Sequence, residues 1–189
     1  MMSQGSDRSN ASLLRLVFAA VLAAMVYLVT MFRFPLLGSK VHFANAVCLL
    51  SGLLLGPVWG GFAAGMGSAL YDLMLYNEGI INLLITFVSK FAMAWVCGKL
   101  YNGAEEKKVD TPRLILACVA GALTYVVLYM LKSGIYGAIA GNFWAPVISK
   151  FPASIINAGA AIVAAPIFYH AMRPALKSAG ILAKLRAAR

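Results

Sequence analysis

Residues 51–73 read SGLLLGPVWGGFAAGMGSALYDL, from Ser51 to Leu73. Gly52, Gly56 and Gly60 fall four apart, Gly61, Gly65 and Gly67 follow, and Asp72 is the one charged residue. A stretch this apolar is long enough to cross a bilayer, which takes roughly 20 residues, yet Gly56-Pro57 interrupts it. Proline has no N–H to continue a helix and clashes with the turn before it. Length and break together predict a tight helical hairpin, its first arm too short to cross fully and its second rich in glycine. In lipid no hydrophobic force drives helices together, so faces of small residues mark places where backbones approach closely.

The rest of the chain has the same character. Of 189 residues, 62% are apolar and 12% charged, more apolar surface than a soluble domain of this length can enclose. Near-continuous apolar runs bounded by charge, Gly or Pro fall at about 13–33, 43–57, 59–77, 80–101, 113–131 and 147–172. The expected fold class is all-α integral membrane, a six-transmembrane-helix bundle. A tail over 1–12 precedes the membrane domain of 13–172, and a basic tail over 173–189 follows it. The first run follows Arg8 and Arg15 as a signal peptide would, but it is as long as a full span and has no A-x-A site between Phe18 and Met25, so it reads as a retained helix. Cys48, Cys97 and Cys118 lie inside apolar runs without C-x-x-C spacing, which suits packing rather than a disulfide or metal framework.

Six spans put both termini on one side. That side holds Arg8, Arg15, Lys99, Lys107, Lys108, Arg113, Arg173, Lys177, Lys184, Arg186 and Arg189, against Arg33, Lys40, Lys132 and Lys150 on the other. The bias orients both termini to the cytoplasm. The net charge of +10 is then mostly topology, and a nucleic-acid partner is excluded because the basic residues sit at helix ends without an aromatic-studded soluble surface. The final KSAGILAKLRAAR is expected to lie on anionic lipid as a short amphipathic extension.

Polar groups in or beside spans are costly and tend to mark function. Arg33, Lys40, His42, Asn45, Asp72, Asn77, Glu78, Asn82, Lys90, Lys132, Asn142, Lys150 and Asn157 nearly all fall toward the outer half, with Tyr71, Tyr76, Tyr125, Tyr129, Tyr136 and Trp144 at similar depth. Aromatic faces with a few hydrogen-bonding groups suit a small polar ring compound in an outward pocket. Asn45, Asp72, Lys90, Lys132, Tyr136, Asn157, His42 and Trp144 are the candidate substrate-binding residues. Each has a plainer role open to it. Asp72 and Lys90 form an ion pair or touch the ligand, and the aromatics line the pocket or anchor at the interface. Asn157, an amide inside a span, needs a partner that a neighbouring helix can supply. His42 and His170 lie at opposite faces, so no metal site is expected, nor any cofactor. The chain has no phosphate loop, G-x-S-x-G elbow, H-E-x-x-H or second intramembrane aspartate, and no enzymatic activity is expected.

Ala19, Ala20, Ala23 and Ala24 repeat at i and i+4 on the first run. This stripe packs against the chain's own helices or docks a second membrane protein.

Here the sequence resembles the substrate-binding S component of the energy-coupling-factor (ECF) vitamin transporters. Ala19/Ala23 and Ala20/Ala24 are similar to the family's A-x-x-x-A motif. His42 and Asn45 opening helix two, the Gly56-Pro57 turn, a glycine-rich helix ending in ALYDL and Lys90 in the following helix resemble one branch. So do Lys132-Ser133-Gly134-Ile135-Tyr136, and Phe151-Pro152 followed by Asn157. The likeness covers about residues 13–172. It implies a six-helix S-component fold that captures a vitamin or precursor from outside, of pyrimidine, pyridine or flavin type. It also implies docking of the alanine stripe on a membrane coupling subunit (T component), assembly with two ATP-binding cassette ATPases, and toppling in the membrane to release substrate inward. One departure is that GIYGAIAGNF lacks the acid this branch often carries after its Gly-Tyr, for which Glu78 is the available substitute. The other reading is a self-contained small permease or channel.

Overall fold

The computed structural model describes residues 3–36, 39–76, 79–101 and 109–187. Asn77, Glu78, Lys107, Lys108 and Arg189 lie outside the described residues, as do the side chains of Arg8, Lys40, Tyr76 and Arg186.

Helix α1 runs Ser3–Met31. Strands β1 (Phe34–Leu36) and β2 (Ser39–Val41) pair antiparallel, Phe34 opposite Val41. The glycine hairpin follows as α2 (Ala44–Leu55) and α3 (Pro57–Tyr71), with a π-helical turn over Asp72–Tyr76. Then come α4 (Ile80–Leu100), α5 (Thr111–Ile139), α6 (Trp144–Ser178) and a short α7 (Ile181–Ala187).

Each expected apolar run overlaps one helix, and among the described residues α1, α4, α5 and α6 are long and apolar enough to cross a membrane. The 12 residues of α2 rise about 18 Å, well short of a hydrocarbon core of about 30 Å. Instead α2 is the bundle's axis, buried along its whole length and packed against α3, α4, α6 and α1.

The break is where the dipeptide placed it. Gly56 takes φ 82°, a conformation open to glycine and costly to residues with a β-carbon, and Pro57 opens α3, where a missing N–H costs nothing. Ser51 Oγ lies 2.7 Å from Cys48 O and 2.8 Å from Gly60 O, at the hairpin's close. The neighbouring glycines are points of backbone contact: a β-carbon on Gly98 of α4 would stand 2.7 Å from Gly52 O, and one on Gly67 of α3 would strike the Ala23 carbonyl of α1.

At each end of the bundle a helix runs past its apolar stretch, α6 at the end opposite the cavity described below and α5 at the cavity itself. Beyond residue 172, α6 continues through Arg173 and Lys177 to Ser178, and α7 turns back on the bundle. Leu182 and Leu185, one turn apart, are buried against it. Arg15, itself buried, donates through Nε at 3.2 Å to the Leu185 carbonyl, which near a helix end lacks an intrahelical partner. Helix α5 also outruns its apolar stretch. It starts on the Asp110 cap, which accepts from Arg113 N at 3.2 Å, and carries Lys132–Tyr136 inside it instead of after it.

Candidate functional site

The polar ends of five helices meet around one cavity of about 490 Å³, inside the range usual for small-molecule sites, about 300–1,000 Å³. Each element contributes a row at helical spacing. Thr30 comes from the end of α1 and Arg33 from the connection after it, and Ser68 and Tyr71 come from the end of α3 with Asp72 from the π-helical turn that follows. Asn82, Thr86 and Lys90 descend the first half of α4 at intervals of four, which places them on one face. Tyr125, Tyr129, Lys132, Ser133 and Tyr136 descend α5, and Lys150, Ser154 and Asn157 begin α6. His42 enters from the connection between β2 and α2.

Lys90, 4% exposed, donates to Asn45 Oδ1, and its Nζ lies 3.8 Å from the Tyr125 ring centroid. The buried ammonium thus has a charge-assisted hydrogen bond and an aromatic face, the pairing a desolvated cation needs. Its hydrogen bond goes to Asn45 and not to Asp72, although Asp72 lines the same cavity. Tyr125 and Tyr129 stack with centroids 5.8 Å apart and planes 16° from parallel, one helical turn apart on α5. Arg33 lies 4.7 Å from the Tyr71 ring centroid.

The amide of Asn157 takes a backbone partner. Its Oδ1 accepts from His42 N at 2.9 Å, tying α6 to the segment that enters α2. Burial, reinforced by Lys90 and Arg33, pushes the His42 imidazole down to about 3, so it is neutral at physiological pH. Its Nδ1 is buried and has no hydrogen-bond partner among the described residues.

Of the eight expected binding residues, the structure brings six onto the cavity: His42, Asp72, Lys90, Lys132, Tyr136 and Asn157. Asn45 stands behind Lys90, holding it. Trp144 is 65% exposed at the start of α6, edge-on to Phe143, and its ring does not line the cavity. The hydroxyls of Thr30, Ser68, Thr86 and Ser154 were not foreseen, and for the last three the signal was their spacing: each falls three or four residues from a cavity residue on the same helix. His170 sits at the other end, 3.5 Å from Thr111 Oγ1.

On the flank, α1 and α3 bound a second, apolar groove of about 690 Å³ lined by Ala19, Ala20, Ala23 and Ala24 with Trp59, Phe62 and Met66. The stripe therefore has two parts: Ala19 is buried against the bundle, and Ala20 and Ala24 are exposed in the groove.

Comparison with known proteins gives a consistent picture. The family model for the ECF-type riboflavin transporter, S component, matches residues 10–174. A protein of Pyrococcus woesei, described as an uncharacterized protein in a gap 3'region, is 29% identical over 133 residues, 67% of this chain and 84% of that protein. A solved structure of the S component of a bacterial ECF transporter superposes with a TM-score of 0.68 at 20% identity, covering 86% of this chain and 97% of the other; that likeness speaks to the fold. Together the polar end cavity, the smooth flank and the match across most of its length establish that the chain belongs to the ECF-type riboflavin transporter S-component family.

Proposed function

We propose that this substrate-binding subunit captures riboflavin or a closely related flavin-like vitamin from outside the cell, for uptake driven by ATP hydrolysis in partner subunits. The observation that carries the reading is the cavity wall: stacked Tyr125 and Tyr129 offer flat faces for a ring system, and rows of hydroxyl, amide and ammonium groups surround them. A heteroaromatic ligand with a polyol chain needs both. His42, Asp72, Lys90, Lys132, Tyr136 and Asn157 are the contacts, Asn45 positions Lys90, and Trp144 stands at the rim.

Arg15, Lys99, Arg113, Arg173, Lys177 and Lys184 gather at the end opposite the cavity. The positive-inside bias turns that end, with both termini, to the cytoplasm and the cavity to the exterior of a prokaryotic plasma membrane. Ala20 and Ala24 in the α1–α3 groove receive the T component, through which two ATPases act. The test has two arms. Flavin fluorescence of the purified chain should titrate with riboflavin to saturation. Vesicles holding the chain alone should show no uptake, and vesicles holding it with the T component, ATPases and ATP should accumulate riboflavin. Absence of binding refutes the ligand, and uptake by the chain alone refutes the partnership.

A further inference from the structure

We propose that α7 is a strap for the docking face: closed on Arg15, it fixes the end of α1 from which Leu16, Ala20 and Ala24 meet the T component. A segment outside the groove thereby sets how well the partner binds. The proposal rests on the docking role given above to that groove.

Helix α1 divides its residues between two faces. Ala11, Arg15, Ala19, Leu22 and Val26, three or four apart, are buried on one. Leu16, Ala20 and Ala24, exposed and also four apart, line the groove on the other. The helix is held at two levels. Toward the cavity, the Ala23 carbonyl and Val26 lie so close to Gly67 of α3 that a β-carbon there has no room. At the opposite end α7 packs against α1 as well as against α6 and α2. Gly180, with φ 67°, reverses the chain after α6. Leu182 and Leu185 on one side of α7 are then buried against the bundle, and Ala183 and Lys184 are exposed.

Arg15 joins the two helices. Its guanidinium, on a residue only 4% exposed, donates through Nε and Nη2 to the Leu185 carbonyl. That carbonyl lies in the last turns of α7, where unpaired oxygens carry the partial negative charge of a helix end. A buried cation needs such acceptors, so lifting α7 takes one from a guanidinium that stands one residue from Leu16 and one turn from Ala19. Docking in lipid draws on close contact rather than on a hydrophobic force. A gap of about 0.5–1 Å forfeits roughly a quarter to a half of the attraction at each contact. A swing of that size at the Arg15 end of α1 opens the partner contacts at Leu16 and Ala20 and leaves the cavity, at the other end of the bundle, as it was.

Full-chain variants in neutral detergent test the strap, with affinity for the complex of T component and ATPases measured beside amide hydrogen exchange. Arg15→Met removes the donors and keeps an unbranched stem. Leu182→Ser with Leu185→Ser frees α7 from the bundle. Gly180→Ala, whose β-carbon would meet nothing, strains the turn through its φ alone. Partner affinity should fall about tenfold in the first two and about twofold in the third, as the docking face loses its preorganisation. Exchange should quicken over residues 11–20 and stay unchanged over Tyr125–Tyr136 at the cavity. Gly180→Ala removes nothing from the core, so it and Arg15→Met decide the matter if the leucine pair fails to fold. Lys184→Ala, on the exposed side of α7, should bind the partner normally; a loss as large as that of Arg15→Met makes α7 a direct contact and overturns its positioning role. Normal partner affinity in Arg15→Met and Gly180→Ala, with binding abolished by Ala20→Trp plus Ala24→Trp, overturns the strap and leaves the groove as the docking surface. If that tryptophan pair binds normally as well, the docking reading falls and the strap with it.

Discussion

Lys90 and Asn45 provide the sharpest test of the reasoning, because their contact replaces the ion pair that the sequence offered. Asn45 is 1% exposed and Lys90 4%, so neither can turn to bulk water when its partner is removed. Asn45→Leu strips the acceptor from a buried ammonium, and losing a hydrogen bond to a charged group costs about 1.5–3 kcal/mol. Lys90→Met keeps an unbranched stem but strands the Asn45 carbonyl, at about 1–3 kcal/mol. The double variant removes donor and acceptor together, which is close to neutral when shape is kept. It should therefore be more stable than the sum of the single changes implies, by about 1.5–3 kcal/mol of coupling. For a chain of this size about 2–4 °C of apparent Tm corresponds to each kcal/mol, so Asn45→Leu should lower Tm in detergent by roughly 3–12 °C. Asp72→Asn combined with Lys90→Met should be additive within about 0.5 kcal/mol. The same variants separate structure from binding: the double variant should recover stability but not ligand affinity, since the ammonium on the cavity is gone. Coupling of Lys90 to Asp72 as strong as to Asn45 would refute the arrangement.

Three further outcomes are expected. Gly67→Leu should cost about 1–3 kcal/mol or more, because its side chain would press on the Ala23 carbonyl and on Val26 Cβ, 2.8 Å from the added carbon; an unchanged Tm and yield would contradict the close crossing of α1 and α3. His42 links stability to pH: the unfolded imidazole takes a proton near 6.5 and the folded one only at about 3, so its contribution is complete above about pH 6.5 and is lost as pH falls toward 3. The slope is up to about 1.4 kcal/mol per pH unit, and His42→Gln should flatten it; identical profiles for the two proteins would count against the buried neutral ring. Ala20→Trp with Ala24→Trp should fill the α1–α3 groove, keep riboflavin affinity and abolish co-purification with the T component and uptake; intact assembly would move the docking surface elsewhere.

The hairpin at Gly56-Pro57 could be read in advance because glycine and proline constrain their own backbone, whatever surrounds them. The end of α5 was harder. An apolar run stops at Lys132, but lysine and serine both continue a helix, and the backbone turns only at Gly141, with φ 88°. Asn142 Oδ1 then accepts from the N–H groups of Trp144 and Ala145, both at 3.1 Å, to start α6. The strands β1 and β2 are too short for a period to emerge. Helical period assigns residues to a face, and it did gather most of the cavity; which face meets which is decided by packing. Hence the Asn45–Lys90 contact and the bond between His42 and Asn157, which are 115 residues apart, were hidden, as was the exposure of Trp144 outside the cavity lining.

The glycine contacts and the polar rows place different demands on their positions, with consequences for how such a chain changes over time. Body positions such as Gly52, Gly67 and Gly98 admit no side chain because a backbone already fills the space, so drift there is closed. Cavity positions such as Thr86, Lys132 and Lys150 are only partly buried and border open volume, where one residue can be exchanged for another with less repacking. A new ligand preference can therefore arise from a handful of exchanges at one end, while the close-packed body stays as it was.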